Sequence, residues 1–214
     1  MQKYISEFIG TFILLVSIVG SGIAGQQYTN DQMVILVSHA VVIGLTLIFI
    51  IGIFANFSGA HFNPIVSILF FLQKELSIKD LCLFISIQIT AAILGTIFAN
   101  YIFGLSIVEI SSNIRSGTNI YISEIFASFG LLMVILLSKV GGKNIVAFNV
   151  GIYITAAIIF TSSASFANPA VSIARIFTES FAGINPSTVI FFIGSQVIGM
   201  FGAYFLYKYL FKTK

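Results

Sequence analysis

The sequence predicts an all-α integral membrane protein with six transmembrane helices and two re-entrant half-helices, arranged as an inverted repeat of three plus three spans. Composition is the first indication: 58% of the 214 residues are hydrophobic, only 8% are charged, and the mean hydropathy is +1.07. A soluble domain carries about 25% charged residues. The apolar runs are continuous, whereas a membrane β-barrel would show alternating segments of about ten residues. The other indications are the number of spans and a duplicated Asn-Pro pair.

Six apolar segments are long enough to cross the hydrocarbon layer, since a transmembrane helix needs about 20 residues. They are residues 4–25, 32–55, 81–104, 121–138, 145–163 and 187–210. The first could instead be a signal peptide, because Lys3 precedes an apolar run that ends in small residues. Glu7 interrupts that run and a similar segment recurs at 123–137, so a transmembrane span is favoured. We expect one membrane domain over 1–214, with one repeat at about 1–105 and a second at about 120–214.

Two short segments begin with an Asn-Pro pair at points where apolar sequence would be expected to continue. The pairs lie in Ser58–Ile65 (SGAHFNPI) and Ser165–Ala170 (SFANPA), and they contain two of the chain's three prolines. Proline directly after an asparagine cap starts a helix, but segments 63–72 and 168–178 are too short to span a membrane. Irregular backbone at membrane depth is tolerated mainly where it lines a water-filled path. The pairs therefore predict two half-helices beside a pathway.

The two halves of the chain match around these pairs. Ser6–Phe12 (SEFIGTF) resembles Ser123–Phe129 (SEIFASF), and each opens a group of three spans with one Asn-Pro pair after its second span. Because three is an odd number, the second group must cross the membrane in the opposite sense. The half-helices then enter from opposite faces and can meet near the midplane, as in other proteins built from inverted repeats.

The cationic residues predict the orientation. In a six-span topology all eight lysines fall on one side, and the two arginines, Arg115 and Arg175, fall on the other. The lysines are Lys3, Lys74, Lys79, Lys139, Lys143, Lys208, Lys212 and Lys214. The positive-inside rule makes the lysine side cytoplasmic, with both termini there. Because the lysines are spread over short loops, nucleic acid is not an expected partner.

The segments Asn63-Pro64-Ile65 and Asn168-Pro169-Ala170, together with Glu7 and Glu124, resemble the aquaporin, or major intrinsic protein, family. The stretch from Gly44 through Pro64 is also similar to bacterial members, and the resemblance covers nearly the whole chain. It implies a right-handed bundle of six helices in the plasma (inner) membrane, assembled as a homotetramer with one pore in each protomer. The implied partners are the lipid bilayer, water and small neutral solutes, and no cofactor is implied.

The resemblance also implies roles for individual side chains. Asn63 and Asn168 would each donate an amide N–H to a passing solute oxygen. The N-termini of the two half-helices would add positive potential that repels cations, as in other aquaporin-type pores. Glu7 and Glu124 would accept backbone N–H groups of the re-entrant loops.

The two histidines are less informative. His61 lies two residues before Asn63, where it either lines the cytoplasmic mouth or braces its loop, and both hypotheses stay open. His39 opens the apolar part of the second span and is interpreted as a residue of the membrane interface. Two histidines this far apart predict no metal site.

The expected constriction departs from the family's pattern. The first motif ends in Ile65 where alanine is usual, and Val171 stands three residues after the second asparagine, where the family usually has arginine. Arg175 lies four residues further along, which places it about 6 Å further outward on a helix. By offset from the family's pattern, the constriction maps to Ile43, Ala156, Ser165 and Val171.

Three of these four residues are apolar and two are small, so the expected constriction is wide and uncharged. This favours a passive channel for glycerol-like polyols, with water also passing, over an orthodox water channel. The run Asn168–Arg175 is also similar to a bacterial subgroup linked to arsenic handling. Neutral arsenite, which resembles glycerol in size and hydroxyl pattern, is therefore a second candidate solute by analogy alone.

Two other classes of protein are less well supported. A coupled secondary transporter also uses inverted repeats and broken helices, but the only intramembrane carboxylates, Glu7 and Glu124, lie near the starts of their spans. An intramembrane serine protease would need a nucleophile and a base. Gly104-Leu105-Ser106 has the Gly-x-Ser spacing, but it lies at the end of a span and no histidine follows it. We therefore do not expect an enzyme.

Overall fold

A computed structural model describes residues 1–211, so Lys212 and Lys214 lie outside the described residues. Within this range the chain forms eight α-helices. They are α1 (Gln2–Tyr28), α2 (Gln32–Phe54), α3 (Pro64–Leu72), α4 (Ile78–Ile102), α5 (Thr118–Ser138), α6 (Lys143–Phe160), α7 (Pro169–Ala174) and α8 (Pro186–Leu206). Six of them, all except α3 and α7, are long and apolar enough to cross a membrane. The prediction of six spans with two shorter helices between them is confirmed.

The second half-helix is shorter than predicted. The helix α7 ends at Ala174, a 3₁₀ turn follows over Arg175–Phe177, and Thr178 is extended. The first half-helix, α3, runs to Leu72 as expected. Arg175 is the first residue of that turn, and because Ala174 keeps helical angles (φ −66°, ψ −34°), Arg175 still lies about one turn after Val171.

Asparagine caps start both half-helices. The Asn63 side chain accepts a hydrogen bond from the Ile65 N–H, and the Asn168 side chain accepts from the N–H groups of Ala170 and Val171. In each case proline occupies the first helical position, where its missing N–H removes no helix hydrogen bond. The local sequence therefore determines where each half-helix begins.

Small residues allow the long helices to approach closely. Gly95 of α4 lies against the backbone of α1 at Phe12, and Gly199 of α8 lies against the backbone of α5 at Ile125. Between the halves, Gly44 of α2 faces Gly151 of α6. A larger side chain at these positions would collide with a neighbouring helix. The close packing leaves room at the centre of the bundle for the half-helices and the loops before them.

The outward faces of the spans are apolar. Large hydrophobic side chains are exposed along them, as contact with lipid requires: examples are Phe8, Leu45, Phe98, Phe126, Ile152, Ile190 and Ile198. Together with the six apolar spans, this surface identifies a multi-pass membrane protein.

Candidate functional site

A cavity of about 290 Å³ lies inside the bundle, and its lining includes residues from both ends of the long helices. Glu75, Lys139 and Lys143 line one end, which we call the lysine mouth. At the other end, the arginine mouth is lined by His39, Ser165, Phe166 and Arg175. Between the mouths the lining from the long helices is apolar: it includes Leu14, Ile18, Ile43, Leu47, Leu131, Ile135, Val150 and Ile154. One cavity that reaches both ends of a membrane-spanning bundle has the geometry of a transport path.

The two Asn-Pro loops meet on this cavity and are joined by reciprocal hydrogen bonds. Asn63 Nδ2 donates to the Ala167 carbonyl at 2.7 Å, and Asn168 Nδ2 donates to the Phe62 carbonyl at 2.9 Å. Both asparagines line the cavity. Each side-chain amide nitrogen carries two hydrogens, so one N–H of each asparagine holds the opposite loop and the other is free to meet a solute.

Glu7 supports the first loop from behind. The carboxylate is fully buried and accepts hydrogen bonds from the backbone N–H groups of His61, at 2.9 Å, and Phe62, at 2.8 Å. Gln88 Nε2 donates both to Glu7, at 2.8 Å, and to Ser67 Oγ, at 3.0 Å. This burial shows that Glu7 is not a solvated residue at the end of its helix.

Glu124 supports the second loop in the same way. It accepts hydrogen bonds from the backbone N–H groups of Phe166, at 3.2 Å, and Ala167, at 2.6 Å. Gln196 Nε2 donates to Glu124 at 2.8 Å and to Ser172 Oγ at 2.9 Å. The contacts of both glutamates are those that the family resemblance implies.

The two glutamines were not among the residues predicted from the sequence. Gln88 follows the first residue of α4, Ile78, by ten positions, and Gln196 follows the first residue of α8, Pro186, by ten positions. A polar side chain inside an apolar span usually has a functional or structural partner. The matching positions of the two glutamines in the two halves are the signal that could have identified them.

Both loops hold non-glycine residues in the left-handed backbone region. The second loop has Ala164 (φ 56°) there, and the residues at matching positions are Ala60 (φ 52°) and Phe62 (φ 49°) in the first loop and Ser165 (φ 44°) and Ala167 (φ 45°) in the second. These matching residues lie three and one positions before the respective asparagines. Such a conformation costs roughly 1–2 kcal/mol per residue. The glutamate hydrogen bonds offset this cost, which explains why each loop needs a buried acceptor.

His61 agrees with both hypotheses that the sequence left open. It lines the cavity, and its Nδ1 shares a hydrogen bond of 3.0 Å with Ser67 Oγ. The interpretation of His39 as an interfacial residue is wrong. His39 is buried, lines the cavity at the arginine mouth and lies 2.8 Å, through Nδ1, from Ser21 Oγ. The helix α2 starts at Gln32, so His39 lies about two turns inside the helix.

Three of the four predicted constriction residues, Ile43, Ser165 and Val171, line the cavity. Ala156 does not, and this prediction is wrong. Ala156 is exposed on the far side of α6, in a lateral groove with Gly44 and Thr155. After Lys143 at its start, the cavity-facing residues of α6 recur every four positions and are Val146, Val150, Ile154 and Ile158. A position two residues from Ile154 or Ile158 points away from the cavity, because successive helical residues are rotated by about 100°.

The arginine mouth carries positive charge, although the predicted constriction residues themselves are uncharged. Arg175 lines the cavity and is only 4% exposed. Its guanidinium carbon lies 3.5 Å from the centre of the Phe166 ring, and its Nε donates to the Ala182 carbonyl. Arg175 follows Val171 by four residues, so the two side chains lie on the same face and both line the cavity.

The lysine mouth is organised by an ion pair. Lys139 Nζ contacts the two Glu75 carboxylate oxygens at 2.7 and 2.8 Å and lies 4.7 Å from the centre of the Phe70 ring. Lys143 Nζ donates to Asn56 Oδ1 at 2.9 Å. Charged groups therefore occur at both ends of the cavity, and its central part is lined by the two asparagines and apolar side chains.

Known proteins share this sequence and fold. A family model described as Major intrinsic protein matches residues 1–165. The chain is 38% identical over 209 residues to Aquaglyceroporin AqpS of Rhizobium meliloti (strain 1021), which covers 98% of this chain and 90% of that protein. It is 29% identical over 144 residues to Aquaporin NIP1-1 of Arabidopsis thaliana, covering 63% of this chain and 48% of that relative.

A solved structure is also similar. The X-ray structure of the aquaglyceroporin from Plasmodium falciparum matches with a TM-score of 0.69 and 22% sequence identity, over 98% of this chain and 96% of that chain. At this level of identity the likeness shows a common fold. The family match over most of the chain, the full-length bacterial relative and the paired Asn-Pro loops on one cavity lead to the same conclusion: the chain belongs to the major intrinsic protein family.

Proposed function

We propose that the protein is a passive channel for small neutral solutes of the glycerol type, and for water. The observation that carries this proposal is the single cavity from the lysine mouth to the arginine mouth, with the free amide N–H groups of Asn63 and Asn168 at its centre. The rest of the lining between the two mouths is apolar. A polyol suits such a path, because its hydroxyl oxygens accept from the asparagines while its C–H groups contact the apolar wall.

Charge selectivity follows from the same arrangement. The N-termini of α3 and α7 both start at cavity-lining asparagines, so their dipoles place positive potential at one point of the path. A cation, including a hydrated proton, meets that potential in a narrow, largely apolar tube, whereas a neutral solute does not.

The relatives support the solute class. The bacterial relative and the solved structure are both named aquaglyceroporins, and Val171 leaves space where the family usually has an arginine. Neutral arsenite is a second candidate solute on the basis of its size and hydroxyl pattern. An orthodox water channel is the less favoured alternative, because the constriction residues Ile43 and Val171 offer water no polar partner.

Coupled transport and catalysis are disfavoured by contacts in the described residues. Both carboxylates inside the spans, Glu7 and Glu124, accept backbone N–H groups of the loops and so support structure. Ser106 is exposed after the end of α4, and the histidines lie elsewhere, so the Gly-x-Ser segment forms no nucleophile and base pair. We propose that the protein is not an enzyme.

The assembly, topology and placement in the cell are further parts of the proposal. The family suggests a homotetramer in the plasma (inner) membrane, and the lysine distribution suggests that both termini are cytoplasmic. The equivalent contacts of Glu7 and Glu124 support two repeats, at about 1–105 and 120–214. A reporter fused after Lys214 that is active only outside the cytoplasm would contradict the orientation.

The experiment that tests the function is stopped-flow light scattering on proteoliposomes, with water, glycerol and arsenite measured in parallel. We expect glycerol and water permeation well above that of empty liposomes. Flux that follows an imposed proton or ion gradient, and that ionophores abolish, would identify a transporter. Water permeation without glycerol permeation would identify an orthodox water channel.

A further inference from the structure

A pair of side chains in close contact occupies the same two sequence positions in each half of the protein. In the first half, His61 lies two residues before Asn63 and Phe70 lies seven residues after it, and the two ring centres are 4.6 Å apart. In the second half, the corresponding residues are Phe166 and Arg175, and the guanidinium carbon is 3.5 Å from the ring centre. The aromatic ring and the nitrogen-bearing group have exchanged positions.

The pairing fixes Arg175 in place. Its Nε donates to the Ala182 carbonyl, while Arg115 donates from Nε to the Gly183 carbonyl at 3.0 Å and from Nη2 to the Phe181 carbonyl at 2.9 Å. Two arginines thus hold three consecutive carbonyls of the loop before α8. Stacking on an aromatic ring restricts the plane of a guanidinium further. Arg175 is therefore a positioned group and not a flexible surface cation.

Arg175 has donors to spare. Among residues 1–211, Nε is the only nitrogen of its side chain that has a hydrogen-bond acceptor in the protein, and the residue lines the cavity. A guanidinium has five N–H donors. The terminal nitrogens, Nη1 and Nη2, are consequently available to a solute in the arginine mouth.

Two other polar groups lie in the same mouth. Ser165 is 4% exposed and lines the cavity, and its Oγ has no hydrogen-bond partner within the part of the chain that the structure describes. His39 also lines the cavity. Its Nδ1 shares a hydrogen bond with Ser21 Oγ, and its Nε2 has no hydrogen-bond partner among residues 1–211. A buried hydroxyl without a partner costs free energy. Because Ser165 lines the transport path, its hydroxyl indicates a partner that binds transiently, namely a solute.

We propose that Arg175, held on the Phe166 ring, and Ser165 together form the selectivity filter of this channel. The filter is therefore displaced from the usual arginine position, which Val171 occupies. The filter recognises a neutral solute with neighbouring hydroxyls: the guanidinium donates to one hydroxyl oxygen and Ser165 Oγ exchanges a hydrogen bond with the next. Val171 leaves width for the carbon chain, and the positive charge excludes cations. This inference rests on the proposed function and specifies how that function selects its solutes.

The test compares charge and hydrogen bonding at Arg175 in proteoliposomes. Arg175→Met keeps the length of the side chain but removes the charge and all donors, and Arg175→Lys keeps the charge without the planar fork. The matched control for loss of a cation is Lys208→Met, since Lys208 lies on Tyr204 and Tyr209 outside the cavity. Glycerol, water and proton fluxes are measured for each, with thermal unfolding to verify folding.

For Arg175→Met we expect proton leakage to rise about tenfold or more, because a unit charge at a few ångströms acts strongly in a partly buried site. The ratio of glycerol to water permeation should fall, and Lys208→Met should match the unmodified protein. For Arg175→Lys we expect proton exclusion to be kept and the glycerol-to-water ratio to fall. Unchanged proton leakage and an unchanged ratio in a folded Arg175→Met protein would overturn the proposal.

A second variant covers the case in which Arg175→Met does not fold. Ser165→Ala removes only the hydroxyl that has no partner, so the protein should fold, and glycerol permeation should fall about fivefold, as expected for one lost hydrogen bond, with water permeation unchanged. If Ser165→Ala and Arg175→Lys both retain the original ratio, the proposal is wrong. Failure of the proposed function looks different, because then the unmodified protein itself shows no glycerol permeation.

Discussion

The two Asn-Pro loops are built alike and end in different mouths. In each, a buried glutamate accepts two backbone N–H groups, a glutamine bridges that glutamate to a serine of the half-helix, and the asparagine amide donates to a carbonyl of the opposite loop. The pairs of contacting side chains differ. His61 contacts Phe70 in the first half, and Arg175 lies over the Phe166 ring in the second. The shared side chains hold the backbone of the two loops, and the side chains that differ lie at the two mouths of the cavity.

This contrast separates support from selectivity. The shared glutamates and glutamines lie behind the loops, where the same backbone conformation creates the same need for acceptors. The mouths meet different surroundings, with Lys139 over Phe70 on one side and Arg115 beside Phe166 on the other. Substitutions behind the loops should therefore have similar effects in both halves, and substitutions at the mouths should not.

The largest expected effect comes from removing the shared acceptors. Glu7→Ala and Glu124→Ala each leave two buried loop N–H groups without a partner, at roughly 1–3 kcal/mol per group, so both should lower the unfolding temperature strongly and by similar amounts. Thermal unfolding in detergent measures this, with Glu109→Ala in an exposed loop as the control. A strong effect in one half and none in the other would show that the two loops do not depend on their glutamates in the same way.

Next in size is an arginine introduced three residues after each asparagine. Val66 and Val171 occupy these equivalent positions and both line the cavity. Val171→Arg should narrow the arginine mouth and depress glycerol permeation about tenfold, much more than water permeation, because a guanidinium fills the space left for the carbon chain. Val171→Ala is the control for the substitution itself.

The companion variant, Val66→Arg, should restrict the path on the lysine side without changing the ratio of glycerol to water in the same way. Stopped-flow permeation measures both variants. If Val171→Arg leaves solute permeation unchanged while Arg175 variants alter it, the filter depends on Arg175 alone.

A smaller effect is expected from the glutamine bridges. Gln88→Leu and Gln196→Leu each remove two donated hydrogen bonds, but they also remove a carbonyl oxygen that has no partner among the described residues. The net loss of stability should be about 1 kcal/mol in each half, measured by chemical unfolding. Gln27→Leu at an exposed position is the control. Unequal losses would show that the two bridges are not equivalent.

The smallest effect concerns the surface of the arginine side. The Ser112 hydroxyl and backbone N–H both donate to Glu179 and lower the pKa of its carboxyl below the ordinary 4.5. Because the folded-state pKa is lowered, this contact stabilises the loops above about pH 4.5 and the contribution is lost as pH falls through the folded value. Hydrogen exchange at the Ser112 amide should show the loss, and Glu179→Gln should remove its pH dependence.

Much of the site could be predicted from residues whose chemistry is unusual for their surroundings. Asn63, Asn168, Glu7 and Glu124 are polar groups inside apolar segments, so each demands a partner wherever the chain folds. Gln88 and Gln196 carry the same signal and were missed only because they belong to no local motif.

Other predictions depended on counting positions along the chain, and these were less accurate. The offset that assigned Ala156 to the constriction assumed a loop length and a helix phase, and the phase of α6 directs Ile154 and Ile158 to the cavity. The second half-helix was expected to run to residue 178, whereas α7 ends at Ala174 and a 3₁₀ turn follows. Helix phase and helix ends depend on packing against neighbours, which a single sequence does not display.

The sequence by itself determined the membrane-spanning helices, the starts of the half-helices and the need for buried acceptors, because hydropathy, proline and asparagine caps, and intramembrane carboxylates act locally. Only the tertiary structure decided which side chains share the cavity. His39 on α2 and Phe166 and Arg175 around α7 line it, and Arg115, from the loop before α5, lies beside Phe166. They meet because two loops and two half-helices pack into one space, and the resulting distances, not the residue types, put a positioned cation at the mouth.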